Sequence, residues 1–434
     1  MTQIWSAAKT MAAQTPENRN RYVDFLRAVS ILMVITGHWL VATVYYADGA
    51  FEGGKLTEVQ RSTQWLTWVF QVMPIFFIVG GYANGVSLES AARKGTRYAG
   101  WLAARLNRLV TPLLALVLFW AAMSAALHFA GVSGPNLRIG SRAALIPTWF
   151  LAIYIMVVVL APLTYRAWQR WGYGSIVVFG ALGAVVDWLF FAADMRWTGW
   201  SNYFWVWLCV HQLGYAWRDG RIGKPPVLLL VSVAGLAALA LLIFKGPYPF
   251  AMVGSPGTDV SNTAPPKITL IALALCQFGL LMAIEAPMRR MLDGLRVWAA
   301  TVLINSLIMT VYLWHITVMI LVIGIAYGLG GFGLGLPPGS AEWWLSRPLW
   351  IAVLYAFLIP VALLLTPLER MGRSRDRQPP SAVRQVIGAV MLCFGVASLA
   401  LYGFGASPLP YLDIISFACV IVGAGLSGLL PKLP

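Results

Sequence analysis

Apolar stretches of about 20 residues recur along the whole chain, separated by short polar segments. Each is long enough for a helix to cross a membrane, and in lipid a helix satisfies its own backbone polar groups. Twelve spans are predicted, at 25–46, 64–88, 109–131, 147–165, 174–193, 200–217, 226–244, 268–286, 300–329, 348–367, 386–405 and 411–430. The ninth is long enough to tilt, kink or extend beyond the bilayer. The pattern predicts an all-α polytopic membrane protein. It shows no inverted repeat and no paired broken helices.

The polar segments add an orientation. With the N-terminus inside, about three quarters of the 31 Lys and Arg residues fall at the cytoplasmic ends and loops of this map. That bias puts both termini in the cytoplasm and makes the long 245–267 segment, rich in Gly and Pro, an outer loop. The first 20 residues are mostly polar and lack the apolar core of a cleaved signal peptide, so the first span is expected to be retained. Segment 1–24 reads as a cytoplasmic N-terminal stretch and the basic run at 371–385 as a cytoplasmic linker before the last two spans.

Composition narrows the picture further. The chain has 434 residues, 59% of them hydrophobic and 11% charged, with mean hydropathy +0.74. That charge fraction is below half of a soluble domain's. The net charge of +15 is accounted for by basic cytoplasmic loops and does not call for nucleic acid. Cys209, Cys276, Cys393 and Cys419 all lie in apolar runs without a CxxC pair, which reads as core packing and not as a disulfide framework or metal site. No Walker A, GxGxxG, HExxH or GxSxG pattern occurs in a suitable context.

The sharpest chemical signal is in the first span, where Arg27 and His38 are separated by ten residues. Eleven helical steps of about 100° return almost to the starting direction and rise roughly 16 Å, so both side chains share one helix face. Asp24 falls within about 40° of His38 on that face. A polar seam from the cytoplasmic end to mid-membrane suits a path for a charged ligand, and a histidine there suits proton transfer near neutral pH. The plainer reading is a histidine satisfied by a neighbouring helix.

Two further constellations follow. Arg105 and Arg108, in the loop and first turn leading to the third span, are i, i+3 neighbours able to clamp a phosphate, or else ordinary positive-inside residues. Tyr312 and His315 are paired the same way in the ninth span, after Asn305 and Ser306, and are equally read as interhelical hydrogen-bonding groups. Asp187, Asn202, His211 and Asn84 are other intramembrane polar residues, Asp187 being the costliest. His128 reads as interfacial, and Glu285 and Glu369 as lying near cytoplasmic ends.

Taken in order, these segments resemble the acyltransferase 3 family of integral membrane acyltransferases. The carriers are Arg27-x10-His38 within Asp24-Phe-Leu-Arg-Ala, the Phe-Phe segment Met73–Tyr82, Arg105-x-x-Arg108 followed by Pro112, Trp149-Phe-Leu151, and Tyr312-Leu-Trp-His315. Gly80 stands where family members often have Ser. The resemblance implies a ten-helix acyltransferase membrane domain over 25–370, with 386–434 adding two helices. It implies transfer of an acyl group from cytoplasmic acyl-CoA, often acetyl-CoA, to a hydroxyl of a cell-envelope glycan or glycolipid. His38 would be the essential histidine, as general base or transient acyl carrier, with Arg27 its partner and Asp24 beside them. Arg105 and Arg108 would contact the CoA phosphates, and Tyr312, His315, Asn305 and Trp149 would serve the acceptor or support the site. Acyl-CoA is then a co-substrate with no permanently bound cofactor, and the protein a multi-pass component of the plasma or inner membrane. With no hydrolase-like domain following the spans, transfer is expected to be direct or to a separate protein.

A transporter or flippase of an envelope lipid or glycan is the competing reading, in which the intramembrane His and Asp relay protons or hold substrate. A non-catalytic scaffold would leave the polar seam without purpose.

Overall fold

The computed structural model describes residues 2–16, 19–47, 49–254, 260–371, 378–405 and 409–430. In chain order the elements are α1 (Thr2–Ala13), α2 (Arg21–Val41), β1 (Ala42–Ala47), β2 (Ala50–Lys55), α3 (Leu56–Val59), α4 (Leu66–Phe70), α5 (Met73–Arg93), α6 (Tyr98–Phe129), α7 (Gly134–Leu145), α8 (Thr148–Trp171), α9 (Tyr173–Phe191), α10 (Asn202–Arg218), α11 (Pro225–Lys245), α12 (Thr269–Ala283), α13 (Glu285–Leu292), α14 (Leu295–Gly328), α15 (Ala341–Met371), α16 (Ala382–Tyr402) and α17 (Leu412–Leu426). The chain is an all-α polytopic membrane protein apart from one short hairpin. Part of the expected 371–385 linker, 372–377, and the side chain of Glu369 lie outside the described residues.

Among the described residues, nine helices are long and apolar enough to cross a membrane, and α12 with α13, bent by 57°, would make a tenth if read as one span. The expected spans at 200–217 and 411–430 correspond to α10 and α17, of 17 and 15 residues. The ninth expected span is the 34-residue α14, as its length foretold.

Three departures have physical causes. The first span ends at Val41, not 46, because the chain turns into a β-hairpin in which Thr43 pairs with Gly54 and Tyr45 with Glu52. Tyr46 and Phe51 meet across the strands with ring centroids 4.9 Å apart. Ala-Thr-Val-Tyr-Tyr is apolar enough to extend a hydropathy window, while its β-branched and aromatic residues suit a strand. The second span is broken. A 3-10 turn at Arg61–Trp65 runs into α4, and α5 starts afresh at Met73-Pro74 after an irregular Gln71. The freed backbone is satisfied by a side chain, since Gln277 Nε2 donates to Gln71 O at 2.9 Å. Residues 61–93 still count as one candidate span, and the sharp bend among the described residues is the one between α12 and α13, where none was expected. The third span begins at Tyr98, so Arg105 and Arg108 lie inside α6 and not in a loop.

Contacts divide the chain into two compact units. The first comprises Met1–Ser87, Pro162–Ile308 and Leu336–Leu345. Its centre is the crossing of α5 and α10. A Cβ on Gly81 would lie 2.0 Å from His211 O, and one on Gly214 2.0 Å from Ile78 O. Only glycine permits this approach, the usual device where no hydrophobic gradient drives helices together in lipid. Phe77 stacks on Trp207 at 4.3 Å on one side of the contact, and Asn84 Nδ2 bonds His211 Nε2 at 3.1 Å on the other. His211 and Asn84 thus pin two helices. In the same unit α11 and α12 meet closely at Gly235 and Gly279.

The second unit comprises Leu88–Ala161, Met309–Gly335 and Ser346–Pro434. Here α16 is tied to α6 by Gln385 Nε2 donating to Ala99 O at 3.0 Å, and to α8 by Cys393 Sγ donating to Ala152 O at 3.2 Å. The α16–α17 pair closes on Gly388, Gly395 and Gly423. Trp120 Nε1 donates to Thr317 Oγ1 at 3.0 Å, joining α6 to α14. His128 is exposed in the last turn of α6.

Gly214→Ala should destabilise the protein by about 1–3 kcal/mol, because the added methyl has nowhere to go. Gly324→Ala on α14, where a Cβ would meet nothing within 4 Å, should be neutral or slightly stabilising. Thermal unfolding of the two variants in detergent checks this; equal melting temperatures would refute the close crossing.

Candidate functional site

Helix α2 is unbroken from Arg21 to Val41, so Arg27 and His38 do share one continuous helix. Its start is fixed locally: the Asn20 side chain caps the Tyr22 N–H at 3.1 Å, and Asp24 in the first turn complements the helix dipole. Tyr22 donates its hydroxyl to Leu281 O at 2.8 Å, and Arg21 Nη1 donates to Leu292 O at 3.0 Å, fastening this end to α12 and α13.

Arg27 is held from two sides. Its Nη2 donates to Asp24 Oδ1, and its Nε donates to Asn305 Oδ1 at 2.7 Å. Asn305 is fixed in turn, because its Nδ2 donates to Asp24 O at 2.8 Å and to Thr301 O at 2.9 Å. The other carboxylate oxygen of Asp24 accepts from Arg19 Nε at 2.6 Å. Asp24 is buried and bridges two guanidinium groups, one half-exposed and one mostly covered. Its geometry is that of a group orienting Arg27.

His38 sits in the last turn of α2, where its carbonyl accepts from Ala42 N, and its side chain is partly exposed. The helix is shorter than hydropathy indicates, and the histidine stands in its last turn. Gly37 beside it faces Phe70 of α4, where a Cβ on the glycine would lie 3.0 Å from Phe70 Cδ1. The broken second span therefore abuts the turn that carries His38.

Asp24, Arg27, His38 and Asn305 all belong to the first unit, and Asn305 is a support for Arg27. Arg105, Arg108, Trp149, Tyr312 and His315 belong to the second. There Arg105 and Arg108 occupy successive turns of α6, and Arg105 lies 5.8 Å from the Trp101 ring. Arg105 is partly covered and Arg108 is exposed. Tyr312, fully within the core, donates to Pro147 O at 2.6 Å, and its ring meets Phe150 edge-on at 6.0 Å. His315 Nδ1 lies 2.5 Å from Tyr312 O, which fixes that nitrogen as the donor. Trp149 starts α8 beside these groups, its ring edge-on to Phe150 at 6.4 Å. Tyr312 thus ties α14 to the turn that precedes α8.

Two groups escape a reading of the sequence. Arg19, the second partner of Asp24, looks there like one more cytoplasmic charge. Lys267 counts only as an outer basic residue, yet it is fully buried 3.8 Å from Asp187. Nothing in the sequence marks a pairing across 80 positions.

Residues 20–367 match the model of the acyltransferase 3 family, described as an acyltransferase domain. The match covers most of the chain, and the protein belongs to this family of membrane acyltransferases. Searches of curated proteins and of solved structures give no match.

Asp24→Ala should be far more damaging than Arg19→Ala. It leaves Arg27 without its covered counter-charge, at a cost of about 3–5 kcal/mol, whereas Arg19 is half-exposed and its bridge is worth under about 1 kcal/mol. Melting temperatures of the two variants in detergent test the order; equal shifts would contradict the bridge described.

Proposed function

We propose that the protein moves an acyl group, acetyl in the first instance, from cytoplasmic acyl-CoA to a hydroxyl of a cell-envelope glycan or glycolipid. The family supplies the reaction class, and the residues supply a route. The observation that carries it is one unbroken helix bearing a fixed arginine near its start and a histidine near its end. The roughly 16 Å between them is a length that the pantetheine arm of CoA spans.

In this reading His38 takes the proton of the acceptor hydroxyl as the oxygen attacks the thioester carbonyl. The C–O bond forms, the C–S bond breaks, and the leaving thiolate recovers the proton from the imidazolium. The variant route, acyl transfer to His38 and then to the hydroxyl, balances equally. Arg27, held by Asp24 and Asn305, offers a pre-positioned cation to anionic groups of the donor. Arg105 and Arg108, one turn apart on α6, are the proposed contacts of the CoA phosphates. The basic bias of the loops favours cytoplasmic termini, the side where acyl-CoA is found.

A carrier for an envelope lipid is favoured by one observation, the bend of 57° between α12 and α13. The assay below separates the two readings, since a carrier releases no CoA.

Purified protein given radiolabelled acetyl-CoA and a membrane extract should release CoA and label an extract component, while His38→Ala should fall to background. No release above the His38→Ala level would refute acyl transfer. Replacing Arg105 and Arg108 together by Gln should weaken acetyl-CoA binding, with the larger penalty at low ionic strength and a shrinking one as salt screens the wild-type contact. Wild-type affinity in the double variant at every salt concentration would leave the pair a role in membrane orientation only.

A further inference from the structure

Asp187, the intramembrane carboxylate left without a role above, lies near the end of α9 and is 1% exposed. It accepts three hydrogen bonds: from Asn202 Nδ2 at 2.9 Å, from the Tyr248 hydroxyl at 3.1 Å and from Ile268 N at 2.8 Å. Tyr248 and Ile268 are the two ends of the long loop between α11 and α12. One buried carboxylate therefore fastens both ends of that loop. Lys267, 0% exposed, places its Nζ 3.8 Å from Asp187 Oδ1 and 3.4 Å from the centre of the Phe190 ring, with no hydrogen-bond partner among the described residues. Burial pulls its ammonium down to about 8, against the opposing pull of Asp187.

Between its ends the loop is bound to the elements around the His38 end of α2. Trp68 Nε1 donates to Phe250 O at 3.0 Å, Gln71 Nε2 to Met252 O at 2.9 Å, and Lys55 Nζ to Gly254 O at 2.6 Å. Met252 N donates to Thr67 Oγ1 at 2.8 Å. Asn262 closes the loop on itself through Pro249 O and Ala251 O. Thr67, Trp68 and Gln71 belong to α4 and the break after it, and Phe70 in the same stretch abuts Gly37. A continuous path of hydrogen bonds and packing thus runs from Asp187 through the loop and α4 to the turn that carries His38. All of it lies within the first unit.

We propose that Asp187 and Lys267 are positioning residues of the acyl transfer: they hold the loop stretches 246–254 and 260–268 as the wall against which the hydroxyl acceptor is placed beside His38. This rests on the transfer reading given above. A structural pin alone would affect stability, whereas a wall for the acceptor affects how the acceptor is engaged and leaves the donor alone. Displacing a positioned reactant by about 1 Å is costly to a transfer reaction, so a loosened loop is expected to act on the acceptor term first.

The test uses full-length Asp187→Asn in detergent, with radiolabelled acetyl-CoA and membrane extract, alongside hydrogen exchange of the same samples. The inference predicts faster exchange over 246–254, 260–268 and 67–71, a half-saturating extract concentration raised about tenfold or more, and unchanged acetyl-CoA binding. Tyr248→Phe removes one hydrogen bond and leaves the ion pair in place; it should shift the same quantities in the same direction by less, and serves if Asp187→Asn fails to fold. A loosened loop with unchanged half-saturation overturns the proposal, as does a loop whose exchange is unchanged in both variants. Failure of the transfer reading itself is seen separately, as wild-type protein that releases no CoA.

Discussion

A guanidinium on an apolar helix has to be matched by acceptors, because the surrounding hydrocarbon supplies none. Arg27 meets that demand with Asp24 one turn earlier on its own helix and Asn305 on α14. Asn305 then reaches back to the carbonyl of Asp24, so the matching also sets how α2 and the start of α14 are aligned. Once Arg27 is fixed, the direction of His38 follows from helix periodicity alone, and its depth from where α2 ends. The proposed chemistry depends on this one satisfied charge more than on any other contact in the first unit.

The same rule, that polar groups in lipid must be answered internally, explains the irregular parts. The helix break after α4 exposes backbone that Gln277 satisfies, and the Gln71 side chain there is answered by the 246–254 backbone. The carboxylate of Asp187 is answered by three donors and a buried ammonium. Helices approach closely through glycine, as at Gly81 and Gly214 or at Gly388 and Gly423. Polar pins and glycine contacts therefore do different work: the first fix register and direction, the second fix distance.

Much of the membrane architecture can be read from hydropathy, because a twenty-residue apolar run has few alternatives in a bilayer. The face shared by Asp24, Arg27 and His38 is equally legible, since it needs only helical periodicity. What escapes is set by short irregular segments. Ala42–Tyr46 is apolar like the helix before it, so hydropathy extends the helix beyond its end at Val41. Gln71 is a single polar residue within an apolar stretch, too slight a signal for a broken helix. Arg105 and Arg108 read as loop and first-turn residues because charge marks the end of an apolar run, although α6 carries them well inside its helix. The pairing of Asp187 with Lys267 lies between positions 80 apart and depends on the fold of the loop, which no local pattern encodes.

Passage of an acyl chain through His38 from CoA to an envelope hydroxyl is tested by mass spectrometry of envelope glycans and glycolipids from cells producing the wild-type protein or His38→Ala as their sole copy. One acceptor population should become lighter by one acyl group in the His38→Ala cells while its unacylated form accumulates. An identical acyl inventory in the two, with the variant protein present in the membrane at wild-type level, would contradict it.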